Sequence, residues 1–158
     1  MFNGAREVIM NPAYRVFIIV NRPRHDVFEA VVDPGELSAY FTTGGARGRL
    51  VQGATVMWDF HDFPGAFPVH VMESVPDQRI VLNWKANEPG TDYQVEVAMS
   101  FSDVAEGRTK VEIEERGWRD TDAAIKASYG NCMGWSHMLA ALKMWVEHRI
   151  NLREGAYV

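Results

Sequence analysis

Tyr129-Gly130-Asn131-Cys132-Met133-Gly134-Trp135-Ser136-His137-Met138-Leu139-Ala140-Ala141-Leu142-Lys143-Met144-Trp145-Val146-Glu147-His148 is the stretch that decides the fold. At 100° per residue, Trp135, Met138, Leu139, Leu142, Trp145, Val146 and Ile150 fall on one arc of roughly 140°. Lys143, Glu147 and His148 fall on the other side. The spacing predicts one long amphipathic helix, from Asp122 or Ser128 to about Arg153. Everything upstream, as far as Trp118, reads mainly as strands. A sheet followed by one terminal helix is expected to be a curved antiparallel sheet gripping that helix, with a cavity between them.

The strands show themselves by alternation. Tyr93, Val95, Val97, Met99 and Phe101 form the cleanest example, opposed by Gln94, Glu96, Ala98 and Ser100. Val56, Trp58 and Phe60 share a face, as do Val69, Val71, Glu73 and Val75. Ile80, Leu82 and Trp84 follow, then Val111 and Ile113 beyond the hairpin loop Ala105-Glu106-Gly107. One-sided alternation marks an antiparallel sheet with one wet face. Arg49 to Val51 reads as a short first meander strand, with Gly44-Gly45-Ala46-Arg47-Gly48 as a flexible turn into it. Pro76-Asp77-Gln78-Arg79 is a turn, because these residues break a ladder and supply local hydrogen bonds. Before the meander, Val16-Phe17-Ile18-Ile19-Val20 is an unbroken apolar run, which suits a strand covered on both faces. Asp26 to Val32 and Pro34 to Tyr40 read as two short helices, divided at Asp33-Pro34.

Composition narrows the function. The chain of 158 residues fits one domain, expected over residues 15–158, with residues 1–14 as a flexible arm. A net charge of -5 and no basic stripe argue against nucleic acid. Cys132 is the only cysteine, so no intrachain disulfide forms. With no apolar leader, that points to the cytoplasm. No run is long enough to span a membrane. The five histidines have no metal-ligand spacing, so neither a metal nor a cofactor is expected.

The order strand, two short helices, strands, long helix resembles the helix-grip fold, an α+β architecture of the START-like (SRPBCC) superfamily. Within it the chain is similar to the heat-shock-protein-90 ATPase activator homologue family. The matching residues are Val27-Phe28-Glu29-Ala30, Leu37 and Tyr40-Phe41 in the helical pair. The segment Val71-Met72-Glu73-Ser74-Val75-Pro76-Asp77-Gln78-Arg79-Ile80-Val81-Leu82-Asn83-Trp84 resembles the family's strand-turn-strand signature. Gly134-Trp135 with Leu139 and Leu142 resembles its terminal helix. The loop from Phe60 to Phe67 is richer in aromatics and prolines than that family leads one to expect.

Three functions are then in view. The first is a small-molecule binding protein whose hydrophobic or aromatic ligand lies between sheet and helix. Pockets of that kind are mostly apolar, with a few polar groups fixing orientation. Its candidate lining is Trp58, Phe60, Phe67, Trp84, Met99, Glu115, Ser128, Asn131, Trp135 and Met138. The second is a cyclase- or hydrolase-like enzyme using Glu115 or His61, although no convincing acid–base pair is visible. The third is a protein-interaction or chaperone-cofactor module, and a homodimer is left open.

Glu73 and Glu115 are in phase with inward residues. A buried carboxylate must find partners or shift its pKa upward. For both, a strand-end bulge or an arginine ion pair is the preferred reading over a pocket acid. Ser128, Asn131 and Cys132 lie one turn before Trp135 and line the cavity mouth, unless Gly130 and Gly134 instead let backbones pack closely. Cys132 has no basic neighbour to activate it and reads as a small buried residue.

Overall fold

The computed structural model describes residues 11–157. The expected arm therefore lies mostly outside the described residues, and Tyr14, placed at its end, is the first residue of a strand. The order is β1 (Tyr14–Val20), α1 (Arg24–Val32), α2 (Pro34–Tyr40), β2 (Gly45–Arg47), β3 (Thr55–Phe60), β4 (Phe63–Val75), β5 (Arg79–Lys85), β6 (Gln94–Ala105), β7 (Arg108–Arg116) and α3 (Asp122–His148). The strands form one seven-stranded antiparallel sheet in the order β1-β7-β6-β5-β4-β3-β2. This is the expected α+β helix-grip architecture, a curved sheet around a long helix.

Local chemistry explains the boundaries. Asp33 ends α1 and caps α2, its side chain accepting from the Glu36 amide at 3.0 Å, with Pro34 in the first turn. Thr121 caps α3 in the same way through the Ala124 amide. The helix ends at His148, short of Arg153, because Arg149 takes a left-handed conformation with φ 56. Ile150 leaves the apolar arc there and is exposed. Asp77 supplies the left-handed residue of the β4–β5 turn, a conformation Asp tolerates better than most residues.

Three strand expectations change. Gly45–Arg47 is itself the edge strand β2, while Arg49–Val51 is irregular. The expected loop from Phe60 to Phe67 is a two-residue turn, His61-Asp62, followed at once by β4. Finally, β1 is not covered on both faces. It is an edge strand paired only with β7, and Phe17 stays 60% exposed on its outer side, beneath the Lys110 ammonium. A run of five apolar residues cannot distinguish a central strand from an edge strand whose outward ring is covered by a lysine stem.

Helix α3 lies against β1, and its C-terminal half is fastened to that strand's end. Lys143 Nζ donates to the Ile19 carbonyl at 2.7 Å, and Glu147 accepts from the Asn21 amide and side chain. The apolar arc then drives into one core with the inward residues of α1, α2 and the sheet, where Trp135, Met138, Leu139 and Leu142 are all buried.

Leu142→Ala is expected to cost about 2–5 kcal/mol and Trp135→Ala about 3–5 kcal/mol in chemical denaturation. A loss under about 1 kcal/mol at either position would contradict the packing described.

Candidate functional site

The inward residues of β7 are Thr109, Val111, Ile113 and Glu115, all fully buried. Glu115 is the last, and five donors from four parts of the chain converge on its carboxylate. From β1, Tyr14 donates its hydroxyl to Oε1 at 2.7 Å. From β5, Trp84 Nε1 donates to Oε2 at 3.1 Å. Trp118 Nε1, just past β7, donates to Oε1 at 3.1 Å. From α3, Asn131 Nδ2 reaches both oxygens at 3.1 and 3.3 Å, and Trp135 Nε1 donates to Oε2 at 3.2 Å. Gly117 makes the Trp118 contact feasible. Its φ of 99 turns the chain back, and a Cβ there would lie 3.6 Å from the Val95 backbone.

Glu115 is thus neither bulged outward nor paired with arginine, and that expectation is overturned. Glu73 behaves as expected. A register shift between Val71 and Glu73 turns its side chain half into solvent, 3.5 Å from Arg79. The difference is positional: β4 carries a bulge at Glu73, whereas β7 runs regularly through Glu115 against both neighbours.

Burial pushes the Glu115 carboxyl above the ordinary carboxylate range, while hydrogen bonds from Tyr14, Trp135, Asn131 and Trp84 pull it back. The indole and amide partners only donate, so the ring of donors favours the ionised form. Among the described residues no lysine or arginine joins it, and the desolvation cost prevails. Tyr14 is pushed upward too, by its own burial and by the neighbouring carboxylate.

An aromatic layer adjoins this node. Trp84 lies 5.2 Å from Trp135, 5.9 Å from Trp58 and 5.8 Å from Phe67, measured between ring centroids. Phe67 stacks on Phe60, and Phe41 packs against Trp58, Phe60 and Trp135. Trp58, Phe60 and Trp135 are buried, whereas Phe67 and Trp84 are half-buried and form the open edge of the layer; Asn131 and Cys132 on α3 are half-buried too.

Between helix and sheet, where a cavity is expected, Trp84 of β5 and Trp135 of α3 pack against each other and against the neighbouring rings. Two cavities lie away from this layer. One of about 80 Å³ sits on the outer face of the sheet, lined by Arg79, Ser100, Glu112, Glu114 and Arg116. The other, about 410 Å³ and open, lies at Arg24, His25, Asp77, Asp103 and Glu106.

Of the candidate lining residues, Trp84, Glu115, Asn131 and Trp135 meet in one hydrogen-bonded network, and Trp58, Phe60 and Phe67 meet in the adjoining layer. Met99 and Met138 lie fully buried in the core. Ser128 donates to the Ile125 carbonyl at 2.7 Å within its own helix, so its hydroxyl is already committed. Gly130 and Gly134 approach no backbone closely, since a Cβ at either would meet nothing within 4 Å. His61 is exposed in the β3–β4 turn. Among the described residues, no group of three or more His, Cys, Asp or Glu is placed to hold a metal ion, and no helix is long and apolar enough to cross a membrane.

Sequence reasoning left Tyr14 and Phe41 out of the site, whereas Trp118 is among the aromatic residues it offers for a cavity wall. Extending the Val16, Ile18 alternation back one step reaches Tyr14.

A family model described as activator of Hsp90 ATPase homolog 1-like protein matches residues 21–147. No curated protein matches the sequence. Several solved structures share the fold. Protein SSP2350 from Staphylococcus saprophyticus superposes with a TM-score of 0.74 at 25% identity, covering 90% of this chain and 96% of its own. DynU16, a protein of the dynemicin biosynthetic locus, gives 0.75 at 22% identity over 90% of this chain and 49% of its own. The Aha1 dimer from Colwellia psychrerythraea gives 0.71 at 19% identity over 87% of this chain and 97% of its own.

Glu115→Gln turns an amide donor into a ring of donors and is expected to cost about 1–3 kcal/mol. A carboxyl whose pKa is raised on folding stabilises the protein fully below its unfolded value and loses that contribution as pH rises through the folded value. From pH 4.5 upward, the wild type is therefore expected to lose stability relative to Glu115→Gln, as measured by denaturation across a pH series. A gap that widens with pH would show that the donors outweigh burial.

Proposed function

The chain belongs to the activator of Hsp90 ATPase homolog 1-like family, and we propose that it is a binding protein for an apolar or aromatic small molecule. The observation that carries this is the half-open edge of the aromatic layer. Phe67 and Trp84 are half-buried, and Trp84 shares the buried Glu115 carboxylate with Asn131. Flat rings already fill the interior, so a flat ligand binds by taking the place of one of them. Phe67 is the ring best placed to yield. The β4 residues leading to it, from Phe63 to Ala66, are exposed, and this end of the strand pairs only with β3. Displaced, Phe67 leaves Phe60 and Trp84 as the two walls of a slot.

Catalysis by Glu115 is the weaker reading. Oε1 accepts from Tyr14, Trp118 and Asn131, and Oε2 from Trp84, Trp135 and Asn131. Lone pairs so occupied are poorly placed to take a substrate proton. The network instead holds Trp84 and Trp135 at fixed angles, which suits a binding wall.

A second reading, self-association, is favoured by Tyr129 and Met133. They stand one turn apart on α3, 70% and 59% exposed. Large apolar side chains grouped on an exposed helix face mark contact surfaces. The Colwellia relative is described as a dimer. Sedimentation as a single monomeric species at high concentration would remove this reading.

Titration with 2-naphthylmethanol is expected to quench tryptophan fluorescence saturably. Trp84→Phe should reduce the signal with the fold intact, and Phe67→Ala should tighten binding several-fold by opening the slot. The absence of saturable quenching in both wild type and Phe67→Ala would reject the binding reading.

A further inference from the structure

Arg153 lies beyond the end of α3 and folds back into the protein, with 7% of its surface exposed. Its guanidinium carbon sits 5.6 Å from the Phe41 ring centroid, 5.4 Å from Phe60 and 4.6 Å from Tyr157. Among the described residues, the carboxylate that reaches it is Asp62, at 3.3 Å through one terminal nitrogen. Its Nε is buried and makes no hydrogen bond. Among the described residues three further buried side-chain atoms lack partners, Asn83 Oδ1 on β5 and, near Arg153, Thr42 Oγ1 and Trp58 Nε1. Thr42 follows Phe41 in the chain, and the Trp58 ring packs 5.5 Å from the Phe41 ring. Three uncommitted polar groups therefore belong to residues gathered around one phenyl ring.

An unpaired N–H of a buried cation is expensive, and native proteins retain few such groups without a functional reason. The edge of a guanidinium that presents Nε and a terminal nitrogen matches both oxygens of a carboxylate. Asp62 engages the terminal nitrogen alone.

We propose that Arg153 receives the anionic head, a carboxylate, of the apolar ligand argued for above. The proposal rests on that reading of the site and adds the ligand's charge and its direction. From Arg153, the rings of Phe60, Phe67 and Trp84 follow in sequence to the Glu115 carboxylate. Among the described residues, one end of this path is a cation with a single carboxylate partner, and the other is a carboxylate with no cation. An anion is drawn to the first end and repelled from the second. An aromatic acid lies with its carboxylate at Arg153 and its apolar end at Trp84, and the reverse orientation is disfavoured.

Calorimetric titration with two probes of the same ring, 2-naphthoate and 2-naphthylmethanol, tests this. The wild type is expected to prefer the acid by about tenfold or more. Arg153→Met keeps a long apolar stem over the rings and should bring the acid-to-alcohol ratio within about twofold. Asp62→Asn removes the competing carboxylate from a half-exposed turn and should raise the acid's affinity about threefold or more. Equal binding of both probes to the wild type would overturn the proposal, as would an acid preference that survives Arg153→Met. A weaker acid affinity in Asp62→Asn would do the same. In each of these cases the alcohol still binds and the underlying function stands. If neither probe binds, that function and this proposal fall together.

Discussion

One buried carboxylate holds the two halves of this molecule in register. Glu115 is shut away from solvent and, among the described residues, has no cation to neutralise it, so its relief is the ring of donors around it. Those donors come from the first strand, the fifth strand, the segment after the last strand, and the terminal helix. Each must arrive at hydrogen-bonding distance or the charge is left exposed to a low dielectric. Apolar packing alone tolerates small slides of a helix across a sheet. A shared carboxylate does not, and the rotation of α3 about its axis is set by Asn131 and Trp135 reaching the same two oxygens.

That constraint propagates into the aromatic layer. With their indole nitrogens tethered to Glu115, Trp84 and Trp135 are fixed 5.2 Å apart, and Trp58, Phe41, Phe60 and Phe67 pack outward from them. Rings pack here into the space that a curved sheet leaves around one helix. What remains accessible is an edge, made by the half-buried Phe67 and Trp84. The functional proposal follows from that edge, and the difference from a preformed cavity has a physical source. Tethered indoles cannot rotate away to leave a void, whereas Phe67 has no hydrogen bond to hold it.

Polar groups at the two ends of the layer differ in how well they are satisfied. Glu115 is oversupplied with donors, while Arg153 has a single ion pair and an idle Nε. The segment after α3 that carries Arg153 is held by Arg149 to Glu36 at 2.7 Å and by Tyr157 stacked on His137. It closes the end of the layer opposite Glu115.

The amphipathic arc of α3, the clean alternation of β6 and the paired helices at Asp33-Pro34 were legible in the sequence, because periodicity and capping are local properties of the chain. So was the inward phase of Glu115, and the family resemblance that rests on these patterns. Local pattern could not say what Glu115 would meet. Its five donors stand between 3 and 101 residues away in sequence, and only the antiparallel pairing of β1 with β7 and the seating of α3 bring them together. The same holds for Phe17, which alternation alone could not assign to an edge strand. It holds for Arg153, which reaches Asp62 across 91 residues. Hydrophobic period fixes which face of an element is buried. Whether the buried space is open or filled depends on how side chains from distant elements interlock, and that was decided only by the tertiary structure.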